Sequence, residues 1–283
     1  MAEIIKGQPI ANQIRDELIS EVQKLKAAGH HPKLAVLLVG EDPGSVWYAE
    51  SKVKVGEKIG VTVELSRMPK ETDEKTILAH VARLNADPSV HGILVELPLP
   101  KHLDKARVMN AIDPSKDVDG VTAVNRGYVL GGQEDLALVP ATPLSCIELI
   151  ERSGVSLRGK RVTLVGRGDT VGRPLALLLV KRDATVTVCH TKTVDLASEC
   201  RRAEILVAAA GSAKLIKKGM VASGAVVIDA GVNETPDGFV GDVDFEAVKD
   251  DVKAITPVPG GVGSLTTTII MANTIKALKR RLG

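Results

Sequence analysis

A chain of 283 residues is long enough for two domains of ordinary size, each with its own core. With 44% apolar and 25% charged residues and a formal net charge of +2, its balance gives no reason to expect nucleic acid or a membrane surface as a partner. Aromatic residues are 2% of the chain, which excludes the base-stacking platforms of single-strand binders and requires an aliphatic core.

Ile14, Leu18, Val22 and Leu25 recur at helical spacing from Ile10, and the helix is expected to stop at Gly29 before Pro32. The apolar run 34–40, LAVLLVG, reads as a buried strand, Ser45 as the cap of a helix to Ile59, and VTVELS after Gly60 as a second strand. A capping-type start at Thr72 leads a helix through Leu84, and VHGILVEL supplies a third strand ending at PLP. Strand, helix and strand in alternation imply a parallel sheet with helices on its faces. DPSKDVDG, residues 113–120, is too polar and turn-rich for a regular element.

Thr142 and Pro143 open the helix TPLSCIELIERSG, and a domain junction is expected near Pro140. TVTVCH, EILVAAA and AVVIDAG continue the second half as strands, and LTTTIIMANTIKALKRRLG closes the chain as an amphipathic helix after the glycine-rich PGGVGSL. The fold class is therefore α/β, with two α/β domains flanking a cleft in which a ligand is expected. Cys146, Cys189 and Cys200 form no C-x-x-C pair, so neither a disulfide framework nor a metal site is expected. The N-terminus lacks the basic and apolar regions of a signal peptide, and no apolar run approaches the length of a membrane span. A cytoplasmic protein is expected.

Residues 159–174, GKRVTLVGRGDTVGRP, join a buried strand to a helix-forming run through a glycine turn. Gly166 and Gly168 allow a tight turn and close approach to a pyrophosphate, and Gly172 allows the helix to pack closely. The helix N-terminus adds free N–H groups and a positive dipole end. The spacing G-x-G-x-x-x-G is one residue longer than the common fingerprint, and a structural strand-turn-helix reads the same way. The second strand ends in Cys189-His190-Thr191-Lys192 with no carboxylate for a ribose hydroxyl, while Arg167 lies in the turn itself. That set favours a 2′-phosphate, hence NADP over NAD, although Lys192 and Arg173 also read as ordinary solvated charges.

In the first half Tyr48 and Lys52 share a helix face beside the single tryptophan, Trp47. Glu96 ends a strand, and Asp117 and Asp119 lie in the loop beyond it. These polar groups converge where parallel sheets gather ligands, though a packing tyrosine and a solvated acidic loop would give the same pattern.

YAESK, GILVELPLP, KDVDG, PATP, VGRGDTVGRP, CHTKT and PVPGGVG, in that order, resemble the methylenetetrahydrofolate dehydrogenase/cyclohydrolase family nearly end to end. The resemblance implies a folate-binding catalytic domain over 1–140, a Rossmann-type NADP domain over 141–264 and a C-terminal helix, 265–283, returning to the first domain. It also implies a homodimer and oxidation of 5,10-methylenetetrahydrofolate to the methenyl form, then hydrolysis to 10-formyltetrahydrofolate, a one-carbon donor for purine biosynthesis. Lys52 matches the catalytic lysine, Tyr48 a residue that stacks on or orients the folate, and Asp119 a pterin holder. Glu96, Leu97, Pro98, Pro259, Gly260 and Gly261 fall at substrate positions, and Thr142, Gly166, Arg167, Gly168, Gly172, Thr191 and Val232 at cofactor positions.

The family pattern has glutamine at Glu96, serine at Gly168, glycine at Ser145 and proline at Ser264, the last three expected to be tolerated loop changes. A carboxylate about 4 Å from Lys52, at an effective dielectric near 20, favours its charged form by about 4 kcal/mol. Weakened cyclohydrolase activity is therefore one expectation, and a non-catalytic NADPH-binding protein is the alternative from another class.

Overall fold

The computed structural model describes residues 2–236 and 238–283. In chain order its elements begin with β1 (Glu3–Ile4), α1 (Gly7–Ala27), β2 (Lys33–Val39), α2 (Pro43–Ile59), β3 (Thr62–Met68), α3 (Glu74–Ala86) and β4 (Gly92–Val95). Three helices follow, α4 (Lys105–Asn110), α5 (Ala123–Leu130) and α6 (Ala141–Arg152). The chain continues through β5 (Arg161–Val165), α7 (Gly172–Lys181), β6 (Thr185–Cys189), α8 (Leu196–Arg201), β7 (Ile205–Ala208) and β8 (Val226–Asp229). It ends with β9 (Asn233–Thr235), β10 (Gly238–Val240), α9 (Phe245–Val248), β11 (Ala254–Ile255) and α10 (Gly263–Leu282). Two compact units emerge: Thr142–Thr266 with the N-terminal segment through Asn12, and Gln13–Ala141 with Thr267–Gly283.

The second of these, called the lysine unit below, has a three-stranded parallel sheet in the order β3-β2-β4. β2 is central and apolar after Lys33, because a parallel strand covered on both faces has no solvent side. Ala35, Leu37 and Val39 on one face, with Ile93 and Val95 of β4, pack on Ile77, Val81 and Leu84 of α3. α2 lies close on β3 because Gly56 has no side chain; a Cβ there would sit 2.4 Å from Val63 Cγ2. The caps differ from those expected at Ser45 and Thr72. Asp42 and Asp73 hold the N-cap positions, accepting from the N–H of Ser45 and of Thr76. A carboxylate reaches N3 as a hydroxyl does and also complements the helix dipole.

The other unit, called the glycine-turn unit, has six parallel strands in the order β1-β11-β8-β7-β5-β6. From β5 the chain steps outward to β6, then crosses to β7 and β8 on the other side, so the doubly wound sheet reverses between β5 and β7. Ligands of such sheets bind outside the strand C-termini at that reversal. The interior strands β7 and β8 are wholly buried, whereas the edge strand β6 is largely exposed. The two-residue strands β1 and β11 and the β9-β10 hairpin were not anticipated from the sequence; segments this short carry no periodicity to read. Ser145 lies inside α6 and is fully buried, and Ser264 lies in the first turn of α10, so neither is a loop position. No helix among the described residues is long and apolar enough to cross a membrane.

Candidate active site

Lys52 and Glu96 form a buried ion pair. Nζ stands 2.7 Å from Oε1, with side-chain exposures of 6% and 8%. The pair arises because α2 follows β2 while Glu96 directly follows the neighbouring strand β4, its N–H held by Leu37 O of β2 at 2.9 Å. Lys52 Nζ also donates to Tyr48 O, one helical turn back, at 3.4 Å and lies 5.7 Å from the Tyr48 ring centroid. Oε1 of Glu96 is within ion-pair distance yet accepts no well-directed hydrogen bond, so the contact is chiefly electrostatic. Burial, and next the Glu96 charge, push the Tyr48 phenol above its ordinary value. Trp47 meets the Tyr48 ring edge to face at 5.0 Å and is itself 64% exposed.

Of the two aspartates expected to converge on this site, one does not. Asp117 is fully buried and faces the backbone, accepting from the N–H groups of Val121 and Thr122 and from Asn125 Nδ2. A buried carboxylate beside the start of α5 finds its donors in the free N–H groups there. Neighbouring Lys116 donates to the carbonyls of Leu84, Asn85 and Asp87, closing the end of α3. Asp119 remains. The residue is half-buried, but its carboxyl group is enclosed, and its pKa is raised to about 7. Burial is the largest cause, followed by the Asp117 charge; Lys52 opposes the rise, Glu96 adds to it, and the Ala141 N–H opposes it through a hydrogen bond. The loop can take this course only with glycine next. Gly120 has φ +63°, and a Cβ would lie 2.5 Å from Leu138 O. Lys52, Tyr48, Glu96 and Asp119 thus form one cluster.

Sequence reasoning missed Ser45 as a support of this cluster. Its buried hydroxyl donates to Leu97 O at 3.0 Å, fastening the start of α2 to the residue after Glu96. Its only signal was its place at a helix start. Leu97 is half-buried there and Pro98 exposed.

In the glycine-turn unit, Gly166 stands at the reversal between β5 and β7. Its φ is +126°, and a Cβ would come 2.0 Å from Ala209 O after β7. Gly172 opens α7 against the same turn, where a Cβ would lie 2.3 Å from Gly166 O. A Cβ at Gly168 would meet nothing within 4 Å, so that face of the turn is open. Val171, at the N-cap of α7, makes no side-chain cap hydrogen bond. The turn thus has the shape of a phosphate cradle, and its residues fit a dinucleotide. Arg167 is exposed on it. Because Gly166 N–H donates to Cys189 O, the exposed Thr191 and Lys192 follow the adjacent strand end. Thr142 is half-buried in the first turn of α6, and Val232 is exposed just before β9. Pro259, Gly260 and Gly261 lie in the turn after β11, where Gly7 N–H donates to Gly260 O at 2.8 Å. They belong to this unit and not to the one holding Lys52.

A doubly wound parallel sheet with an open glycine turn, in a chain that also encloses a lysine-carboxylate cluster, defines a nucleotide-linked enzyme of two α/β units. Residues 5–119 match the catalytic domain model of tetrahydrofolate dehydrogenase/cyclohydrolase and residues 140–282 its NAD(P)-binding domain model. The chain belongs to the tetrahydrofolate dehydrogenase/cyclohydrolase family. It is 55% identical to "Bifunctional protein FolD 2" of Desulfitobacterium hafniense (strain Y51), over 98% of this chain and 97% of that one. Among solved structures it resembles the bifunctional FolD dehydrogenase/cyclohydrolase of Campylobacter jejuni. The TM-score is 0.96 and the identity 40%, covering 99% of this chain and 100% of that one. It also resembles the FolD of Trypanosoma brucei complexed with NADP cofactor and inhibitor. There the TM-score is 0.94 and the identity 37%, covering 99% and 98%.

Proposed function

We propose that the protein oxidises 5,10-methylenetetrahydrofolate to 5,10-methenyltetrahydrofolate with NADP and hydrolyses the product to 10-formyltetrahydrofolate. The observation that carries this reading is the enclosed cluster of Lys52, Glu96 and Asp119, in a chain whose two halves match the two domain models of this family. NADP, when bound, supplies the hydride acceptor. Lys52 moves protons at the water that attacks the methenyl carbon, and Tyr48 presents its ring to the folate. Asp119, with a pKa of about 7, is partly protonated near neutrality and can both donate to and accept from a pterin edge. Leu97 and Pro98 contact the folate. Orientation of the two ligands accounts for most of the oxidation step, because the reactivity resides in cofactor and substrate.

Gly166 and Gly168 receive the pyrophosphate while Gly172 lets α7 pack against the turn, Arg167 and Thr191 receive the 2′-phosphate, Thr142 lies near the nicotinamide, and Val232 is a further cofactor position. NADP over NAD is supported by the exposed arginine in the turn, by the absence of a carboxylate in Cys189-His190-Thr191-Lys192, and by the NADP complex of the Trypanosoma brucei relative. We assign a homodimeric, cytoplasmic enzyme supplying formyl groups to purine biosynthesis. Folate derivatives, and neither nucleic acid nor membrane, are its ligands.

A second reading is favoured by the 2.7 Å ion pair. At that distance Glu96 engages Lys52 Nζ in place of an attacking water. Hydrolysis is then slow while oxidation proceeds. Mixing methylenetetrahydrofolate with NADP, and with NAD in parallel, tests the main reading. Absorbance at the NADPH wavelength should grow with NADP, and methenyl absorbance should then decay. NADPH binding without any turnover would instead support a non-catalytic NADPH-binding protein.

A further inference from the structure

Two buried carboxylates of the glycine-turn unit have no part in the chemistry above. Asp229 ends β8, and Asp242 follows β10. Asp242 Oδ2 accepts from the N–H of Ala210 at 2.5 Å and of Gly211 at 2.9 Å. Its Oδ1 accepts from Ser212 N–H at 2.8 Å and from Asn233 Nδ2 at 3.0 Å. Three successive N–H groups turned toward one point form an anion-binding nest, and here the protein fills it with its own side chain. Asp229 in turn holds Asp242. Its Oδ1 accepts from the N–H of Gly231 and of Asp242, and its Oδ2 from Val243 N–H. Two glycines make room for the pair. A Cβ at Gly231 would lie 2.3 Å from the Asp242 carboxyl, and one at Gly241 would lie 1.9 Å from Asp229 Oδ2.

The nest residues directly follow Ala209, whose carbonyl is the wall against which Gly166 turns. Ala209 is fixed on its other side by donating its N–H to Val165 O at 2.8 Å. One carboxylate therefore sets the segment behind the glycine turn and, through Asn233, the base of the β9-β10 hairpin beside Val232. For stability alone this is a poor arrangement, since like charges share a buried region; burial, chiefly, raises the Asp229 pKa to about 6.

We propose that Asp242 is a positioning residue for the dinucleotide, fixing residues 209–212 behind the glycine turn and Asn233 beside Val232, and so setting cofactor affinity without touching the reacting atoms. This rests on the reading that the unit takes NADP. Asp242→Asn keeps the shape but replaces one acceptor oxygen by a donor amide, which faces N–H groups. The Kd for NADP by calorimetry and the KM for NADP should each rise about tenfold or more. The KM for folate and kcat at saturating NADP should stay within about twofold. Asn233→Ala, which removes one donor to Asp242 together with the bond to Val240 O, should raise the NADP Kd about threefold and decides the matter if Asp242→Asn does not fold. Unchanged NADP affinity, or equal rises in both KM values, would overturn the proposal. A wild-type protein that bound no NADP would overturn the functional reading as well, whereas wild-type binding matched by both variants overturns this inference alone.

Discussion

The two candidate sites are built in opposite ways. In the lysine unit the chemistry lies in enclosed side chains, Lys52 against Glu96 at 2.7 Å and Asp119 raised to about 7. In the glycine-turn unit it lies in backbone shape. Gly166 and Gly172 permit close approaches, while the side chains that would read a phosphate, Arg167 and Thr191, stand exposed. Enclosed charges tune reactivity because low dielectric magnifies each neighbour; exposed ones tune selection among ligands at modest energy. Substitutions in the first unit should therefore change rates and pH profiles, and substitutions in the second should change affinities.

The largest effect is expected at Lys52→Met, which removes the group proposed to transfer protons and strands Glu96. Methenyl hydrolysis should fall on the order of 10²–10⁴-fold, read from methenyl absorbance. A fall in NADP affinity with hydrolysis intact would break the contrast between the units. Next comes Gly166→Ala, whose Cβ would meet Ala209 O at 2.0 Å. NADP affinity should drop about 100-fold, while Gly168→Ala, with open space around it, should stay within about twofold. Equal losses would show that close approach is not what the turn requires. Arg167→Ala should weaken NADP about tenfold and leave NAD unchanged, measured by calorimetry with both dinucleotides.

The legibility of the two sites follows from the same contrast. The glycine turn could be read from the sequence because backbone demands select glycine at fixed spacings. Tyr48 and Lys52 were legible as one helix face, and Glu96 as a strand end, since both periodicities are local. That Asp117 turns inward to Asn125 while Asp119, two residues on, stays in the cluster could not be read. It depends on where α5 begins and on the course of the chain at Leu138 and Pro140. Asp229 and Asp242 were likewise invisible, because their partners are backbone N–H groups, which leave no mark in a sequence. The cap positions slipped from Ser45 and Thr72 to Asp42 and Asp73 because each helix start offers several capping residues in succession.

The smallest expected effect concerns stability. His91, buried at the start of the lysine unit's strand β4, accepts the Lys33 N–H at Nδ1. Burial first, then Arg281 and Lys116, push its pKa down to about 4. An unfolded histidine titrates near 6.5, so between those values the unfolded chain holds the extra proton. Stability from this group is full above about pH 6.5 and is lost as pH falls toward about 4. The midpoint of thermal unfolding should follow that slope, and His91→Gln should flatten it.

The central claim is that the buried Lys52–Glu96 pair governs hydrolysis and leaves oxidation alone. Glu96→Gln removes the carboxylate charge while keeping the side-chain shape, so the ratio of methenyl hydrolysis to NADP reduction tests it most directly. The ratio should rise in the variant. An unchanged ratio would contradict the claim.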